Sequence, residues 1–258
     1  MERRAQSHPK THQQRLESTT MRKLILVIVF AIMAIPIHAE KIKVSGSLET
    51  YSAYMWRGSK EAGAHVAPSI TLQWGGFALQ SYGFVSFDGT YKEIDWDLSY
   101  TVGSFSFHLA DYYARLSSYT TVENYFSFKK GHTNHIQEAI ICYEPQKLPF
   151  AIRWFTFLHG DWIPNQDGSL GKPSFASYLE AELYHNFSPH SRLSLFCGAS
   201  VFKGTFTGYT KNFAVINTEL RYSYNIPIKS VQIPLTVSYI INPYQKRCWL
   251  NAGAGIKF

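Results

Sequence analysis

The sequence lacks three features that would each have indicated a class of protein. Beyond residue 40, no stretch approaches the roughly 18 consecutive apolar residues of a transmembrane helix, which argues against a helical membrane protein. Charged residues make up only 17% of the chain, too few for a charged coiled coil. The cysteines, Cys142, Cys197 and Cys248, are widely spaced and odd in number, so neither a disulfide framework nor a zinc site is indicated.

Aromatic residues, in contrast, are abundant. The 258 residues include 17 tyrosines, 18 phenylalanines and 17 glycines. This composition argues against disorder and predicts an aromatic-rich β protein of one domain, or two. The net charge of +7 lies mostly in the first 39 residues, and the rest of the chain has no run of lysine or arginine. We therefore expect no nucleic-acid partner.

The first 39 residues have the features of a secretory signal peptide. Met21-Arg22-Lys23 precedes an unbroken apolar run over residues 24–35, and Ala39 supplies a small residue for cleavage. We predict a signal peptide over 21–39 and a mature domain over 40–258. An uncleaved anchor is the alternative, although the run is short for a membrane helix. Residues 1–20 are polar and aperiodic, either a long n-region or an extension before a true start at Met21, and we expect no function of them.

From residue 41 onward, apolar and polar residues alternate with the period of a β-strand. Ile94, Trp96 and Leu98, for example, alternate with Asp95 and Asp97. The pattern recurs along the whole mature chain. The predicted strands cover residues 42–56, 66–74, 77–87, 93–101, 104–114, 135–143, 150–158, 175–187, 192–202, 213–225, 231–241 and 247–258.

The connections between these strands alternate in length. Those after even-numbered strands are short, as at Gly75-Gly76 and Val102-Gly103, whereas those after odd-numbered strands are longer and more polar. The longest are predicted over 115–134 and 159–174. Short turns on one side, long loops on the other and an even strand count are typical of outer-membrane barrels. We predict an all-β fold, a transmembrane antiparallel up-and-down barrel of about 12 strands with both termini in the periplasm.

A soluble β-sandwich would show the same alternation, but three further features favour a barrel in outer-membrane lipid. The predicted strands are long for a sandwich and suit a tilted membrane strand. Aromatic residues also gather near the strand ends, as an interfacial girdle requires. They are Tyr54, Trp56, Trp74, Phe77, Tyr143, Phe150, Phe187 and Phe258. Phe258 ends an alternating strand, as expected of a closing strand presented to the barrel-assembly machinery. At Pro234, which lacks a ladder donor, we expect a bulge.

Several segments resemble the TorF-type porins, small outer-membrane proteins of Gram-negative bacteria. Residues 51–58 (YSAYMWRG) resemble the family signature S-x-Y-V-[FW]-R-G, with methionine in place of the usual valine. The family-motif residues are Tyr54, Trp56, Arg57 and Gly58, together with Glu93 and Asp95 in a segment similar to E-I-D-[LW]. Residues 104–113 resemble a later strand of the family, and residues 240–243 resemble the stretch before its last strand. The resemblance implies a porin-like barrel in the outer membrane and does not imply a particular solute.

Strand parity predicts which charged residues face the barrel interior. The predicted pore-lining residues are Glu49, Glu93, Asp95, Asp97, Glu138, Arg153, Glu180, Glu182, Glu219 and Arg221, with Lys43 and Lys257 also facing inward. Because the acids outnumber the bases, we expect passive diffusion of small polar solutes or ions with weak cation selectivity. Glu93, Asp95 and Asp97 should be the main contributors.

Two other functions compete with this interpretation. Glu93, Asp95 and Asp97 share one strand face, a spacing that could serve a pair of catalytic carboxylates. A polar barrel interior accounts for the same three residues without any catalytic role. A lipid-modifying hydrolase would need a serine and a histidine together on the lipid-facing surface. His185 is the one outward candidate, and no convincing serine accompanies it. His132 and His135 form a weak metal pair, so we expect no metal, no cofactor and no enzymatic activity. A structural barrel without an open pore is the third possibility.

We predict that the exported protein begins at Glu40 and is recovered in the outer-membrane fraction. Its migration on a denaturing gel should depend on boiling, because closed barrels resist detergent until heated. Intact-mass measurement of the purified protein checks the N-terminus. Recovery as a soluble periplasmic protein would contradict the prediction.

Overall fold

The computed structural model describes residues 41–116 and 124–258, and nearly all of their regular structure is β-strand. The strands, in chain order, are β1 (Lys43–Tyr51), β2 (Tyr54–Trp56), β3 (Ser59–Ala62), β4 (His65–Trp74), β5 (Phe77–Ser86), β6 (Tyr91–Val102), β7 (Phe105–Leu116), β8 (His135–Tyr143), β9 (Phe150–His159), β10 (Trp162–Pro164), β11 (Leu170–Pro173), β12 (Ser177–Ser188), β13 (Ser191–Ser200), β14 (Ala214–Ile228), β15 (Val231–Asn242) and β16 (Arg247–Lys257). A single 3₁₀ turn occupies Thr205–Thr207. None of the helical structure in the described ranges is long and apolar enough to cross a membrane. The predicted signal peptide and the extension before it lie outside the described residues.

Twelve strands form a closed antiparallel barrel, which confirms the predicted fold class and strand number. Around the barrel the order is β1-β16-β15-β14-β13-β12-β9-β8-β7-β6-β5-β4, and β1 closes the sheet by pairing with both β16 and β4. The remaining strands form two hairpins, β2–β3 and β10–β11. Closure removes both sheet edges, so every barrel strand has a partner on each side.

The connections divide the barrel into two rims. Tight turns join β4 to β5, β6 to β7, β12 to β13 and β14 to β15, and they lie at the same end as the two termini of the barrel. We call this end the short-turn rim, and the opposite end, which carries the longer connections, the long-loop rim. Outer-membrane barrels keep short turns in the periplasm. Part of the predicted loop over 115–134, residues 117–123, lies outside the described residues.

The outer surface of the barrel is apolar and the interior is polar. On β6, the outward Ile94, Trp96 and Leu98 are 40–50% exposed, although they are large hydrophobic residues. The inward Asp95 between them is 1% exposed, and Glu138 on β8 is 0% exposed. A continuous apolar exterior of this kind is unfavourable in water and favourable in lipid, so the protein is an outer-membrane barrel.

Three predictions about local structure are wrong. The first strand ends at Tyr51 rather than at residue 56, because the chain turns inward and residues 54–56 pair with β3. Consequently Tyr54 and Trp56 belong to no outer girdle. Pro234 lies in β15 without a bulge: its pairing with β16 lapses while the register stays the same on both sides. The missing N–H removes one hydrogen bond from the ladder, and no extra residue is inserted into the strand.

We predict that an epitope inserted at Asp167, in the exposed turn between β10 and β11, is labelled by antibody on intact cells. A second insertion near Asn134 should behave in the same way. The matched control is an insertion at Lys229 in the short-turn rim, which should be labelled only after the outer membrane is permeabilised. The reverse pattern would invert the topology.

Candidate functional site

The hairpin β2–β3 crosses the barrel interior. It leaves the wall at the end of β1, and its tip reaches β8, β9 and β12, which lie on the far side of the strand order. At its base the backbone N–H of Ala53 donates to Asn251 Oδ1 at 3.0 Å. Close by, the Tyr54 ring stacks on Phe84 with centroids 4.3 Å apart. The first long connection is therefore a structure inside the lumen and not a surface loop.

A tight left-handed turn forms the tip of this hairpin. Arg57 and Gly58 have φ angles of 48° and 76°, in the region that glycine adopts at no steric cost. A Cβ on Gly58 would lie 2.0 Å from the carbonyl oxygen of Ile216, so the tip touches the backbone of β14 directly. Asn242 Nδ2 donates to the Gly58 carbonyl at 3.1 Å. Glycine at this position is therefore required both by backbone conformation and by space.

Arg57 is buried in the lumen and paired with Glu138. Its Nη2 lies 2.6 Å from Glu138 Oε2, and the two side chains are 6% and 0% exposed. Tyr112 donates its hydroxyl to the same oxygen at 2.8 Å. Burial by itself lowers the pKa of Arg57, but the neighbouring Glu138 carboxylate more than offsets this and raises it above the usual value. The guanidinium is therefore cationic at any physiological pH.

Aromatic rings surround the same guanidinium. Their centroids lie between 4.5 and 5.6 Å from Arg57 Cζ, a separation at which a cation is attracted to the ring face. The rings belong to Trp56, Phe155, Phe157, Tyr178 and Phe206. We call these five residues, together with Glu138, the Arg57 cage. Phe206 comes from the 3₁₀ turn, so a second long connection also folds inward.

Cavities lie on both sides of the hairpin. An outer cavity of about 440 Å³ is lined by Arg57, Lys60, Phe206, Arg247 and other residues of the long-loop rim. An inner cavity of about 540 Å³ is lined by Arg57 as well, and by polar residues of the barrel wall. A third cavity, of about 380 Å³, lies towards the short-turn rim. Arg57 thus separates the two larger spaces.

Most of the predicted pore-lining acids are matched by a base. Glu180 and Glu182 lie 3.2 and 2.6 Å from Arg153, and Glu182 also lies 2.7 Å from Arg192. The other pairs are Glu219 with Arg221 at 2.7 Å and Glu49 with Lys257 at 3.3 Å. The wall from β9 to β16 therefore carries alternating charges that are largely neutralised in place.

The acids of β6 differ from those of the other walls. Glu93 accepts a hydrogen bond from Tyr91, and Asp97 lies 3.0 Å from His108 Nδ1. Asp95 is 1% exposed, and its Oδ1 has no hydrogen-bond partner. Within the described ranges, none of the three has an ion pair with arginine or lysine. They also line none of the three cavities.

The sequence analysis missed two lumen arginines. Arg192 has inward parity at the start of β13, just before the apolar outward positions 193 and 195, so alternation alone could have placed it. Arg57 had no such signal, because it lies in a connection that the sequence gives no reason to fold inward. Counting both arginines reduces the predicted excess of lumen acids.

Among the described residues, one histidine–carboxylate pair has outward strand parity, although its histidine is buried beneath Tyr125 and Phe128. His135 Nδ1 lies 2.7 Å from Asp111 Oδ2, and its Nε2 bonds to the carbonyl oxygen of Tyr125, so neither ring nitrogen is free to activate a nucleophile. His185, the predicted hydrolase candidate, packs edge-on against Phe187 with centroids 4.7 Å apart. Over the described ranges, no group of three or more metal-ligating side chains comes together.

Comparison with known proteins finds similarity at the level of solved structures. No protein-family model matches the sequence, and no curated protein matches it. A KdgM porin in complex with disordered oligogalacturonate is similar over 83% of this chain and 97% of its own, at 10% identity and a TM-score of 0.47. A NanC porin is similar over 84% and 99%, at 8% identity and a TM-score of 0.48. The translocator domain of the autotransporter NalP from Neisseria meningitidis is similar over 94% and 97%, at 9% identity and a TM-score of 0.38. Similarities this distant carry no argument about function.

We predict that Glu138→Gln destabilises the barrel by about 3 to 5 kcal/mol, because it leaves Arg57 buried without its counter-charge. The measurement is the temperature at which the unboiled gel band converts to the unfolded one. Glu144→Gln is the matched control, since the Glu144 side chain is 47% exposed and lies 3.8 Å from Arg192. That control should change stability by no more than about 0.5 kcal/mol. Equal effects of the two substitutions would contradict the structural role of the Arg57–Glu138 pair.

Proposed function

We propose that the barrel is an outer-membrane channel through which small polar solutes or ions diffuse passively. The observation that carries this proposal is the polar lumen, with one cavity on each side of the β2–β3 hairpin, inside a barrel whose exterior is apolar. In a lumen built only for stability, side chains would fill the space and leave no cavities of this size. Membership of the TorF-type porins, assembly through the C-terminal Phe258 and contact with outer-membrane lipid belong to the same proposal.

We expect weak cation selectivity because some of the predicted pore-lining acids have no arginine or lysine partner. Glu49, Glu138, Glu180, Glu182 and Glu219 each pair with an arginine or lysine. Of the predicted pore-lining acids, Glu93, Asp95 and Asp97 on β6 have no arginine or lysine partner among the described residues. An uncompensated charge of one sign beside a narrow pore raises the local concentration of counter-ions, here cations. Because the β6 acids line no cavity, they would act by their field and not by contact, so the preference should be small.

The hairpin limits the size of the solutes. The inner cavity, at about 540 Å³, is within the range of pockets that hold one small organic molecule. We therefore expect single sugars, amino acids or ions to pass, and longer chains to be excluded. A barrel whose hairpin closes the lumen completely is the competing function, and the hairpin's position across the lumen is the observation that favours it. Nothing in the outward-facing His135–Asp111 pair or at His185 supports the hydrolase alternative.

We predict a reversal potential of cation-selective sign for the protein in a planar bilayer under a potassium chloride gradient. The triple substitution Glu93→Gln, Asp95→Asn and Asp97→Asn should move the cation-to-anion permeability ratio towards one, because it removes the unmatched acids. The matched control is Glu219→Gln with Arg221→Gln, which removes an acid and its base together and should leave the ratio unchanged.

Each contrary outcome has a distinct meaning. Anion preference in the unaltered protein would contradict the charge argument. An unchanged ratio in the triple variant would contradict the role of the β6 acids. Absence of any conductance would contradict the channel and favour a barrel closed by its hairpin.

A further inference from the structure

The Arg57 cage has the composition of a binding site for an organic cation. It combines several aromatic faces with one buried carboxylate, and this is the pairing by which proteins hold guanidinium and alkylammonium groups. Ring centroids at 4.5 to 5.6 Å from a cation, together with a carboxylate oxygen at 2.6 Å, satisfy both requirements. In this structure the cation is the protein's own Arg57.

The polar atoms in the cage are only partly satisfied by Arg57. Glu138 Oε1 and Arg57 Nη1 are both buried and have no hydrogen-bond partner. A guanidinium can meet a carboxylate through two parallel hydrogen bonds, which would use both carboxylate oxygens. Arg57 makes only one such bond, since its backbone is fixed by the left-handed turn next to Gly58. An untethered guanidinium could adopt the two-bond geometry that Arg57 does not.

The cage adjoins both larger cavities through Arg57, and the hairpin tip that fills it has no ladder bonds to the barrel wall. Arg57 lines the outer and the inner cavity, so a solute in either space would contact this residue first. β2 and β3 pair only with each other, without ladder bonds to the barrel wall. Apart from Arg57, the tip is held by hydrogen bonds from Asn242 to the Gly58 carbonyl and from Gln245 to Ser59. The other contacts of the tip are the packing of Gly58 against Ile216 and of the Trp56 ring against Phe157 and Phe206, so the ion pair is its one charged attachment among the described residues.

We propose that the Arg57 cage is a binding site for a small guanidinium- or alkylammonium-bearing solute, occupied at rest by Arg57. Such a solute replaces Arg57 beside Glu138, so the buried carboxylate keeps a counter-charge and the hairpin tip is released from the lumen. Without its ion pair to Glu138, Arg57 is no longer held between the two cavities. This inference deepens the proposed channel function and, for the release step, rests on it.

Binding is tested first, without transport. The full-length barrel in detergent is titrated calorimetrically with methylguanidinium, and with methylurea as the uncharged analogue. Arg57→Ala should bind methylguanidinium at least tenfold more tightly than the unaltered protein, because the ligand no longer competes with a tethered guanidinium. Adding Glu138→Gln to that variant should abolish this increase in affinity for methylguanidinium. No tightening in Arg57→Ala, or equal binding of methylurea, would overturn the site.

Removing Arg57 leaves Glu138 unpaired and can prevent refolding, so a second measurement covers that case. If Arg57→Ala refolds poorly, methylguanidinium in the refolding buffer should raise the yield of heat-modifiable barrel, whereas methylurea should not. Equal yields in both additives would overturn the site as well. Either result is obtained without any assay of conductance.

Release of the hairpin is tested in planar bilayers with the unaltered protein. Replacing part of the potassium by methylguanidinium at constant ionic strength should increase the single-channel conductance, and tetramethylammonium should act in the same direction. In Arg57→Ala the same ion should reduce conductance, because it lodges in an empty cage. Tight binding with unchanged conductance would overturn the release step. Binding in a protein that never conducts would contradict the channel and leave the site supported.

Discussion

The buried ion pair between Arg57 and Glu138 is the interaction on which the rest of the lumen depends. Placing two charges in a dry interior is costly, and the attraction between them offsets that cost only when the geometry is close. At 2.6 Å, with Tyr112 as a further donor to the carboxylate and aromatic rings around the guanidinium, the geometry is close. The pair joins the hairpin to the opposite wall, and the division of the lumen into an outer and an inner cavity follows from it.

The lumen is electrically uneven around its circumference. From β9 to β16, acids and arginines alternate and are paired, as Glu182 with Arg153 and Arg192 shows. On β6, tyrosine hydroxyls and a histidine take the place of arginine as partners of the acids, and Asp95 keeps one oxygen unsatisfied. The acids from β9 to β16 are therefore paired with arginine or lysine, whereas those of β6 have tyrosine and histidine partners.

The sequence was sufficient for the barrel and insufficient for its interior. Alternation predicted the strands because lipid and lumen impose a strict period of two, which is why Ile94 and Asp95 could be assigned to opposite faces. No repeating pattern in the sequence marks the inward turn at residue 52. The turn depends on a long-range contact, since Glu138 lies 81 residues beyond Arg57 in the chain. The motif containing Arg57 and Gly58 could be noticed in the sequence, but the oppositely charged partner that explains it could not. At Pro234 the sequence led to a wrong prediction. Because proline lacks a ladder donor we expected a bulge, but β15 keeps its register with both neighbouring strands.

Gly58 has a consequence for how the barrel closes. The alternation of apolar and polar residues forbids a slip of one residue between β1 and β16 but is indifferent to a slip of two, which keeps every side chain on its own face. Such a slip would move the base of the hairpin by about 7 Å along the wall. The tip could not follow, because Gly58 packs against the backbone at Ile216 without room for a single carbon, and Arg57 would lose Glu138. The hairpin therefore constrains the register between β1 and β16. The observed pairing, of Ser47 with Lys257 and of Tyr51 with Gly253, is the one that lets Arg57 reach Glu138.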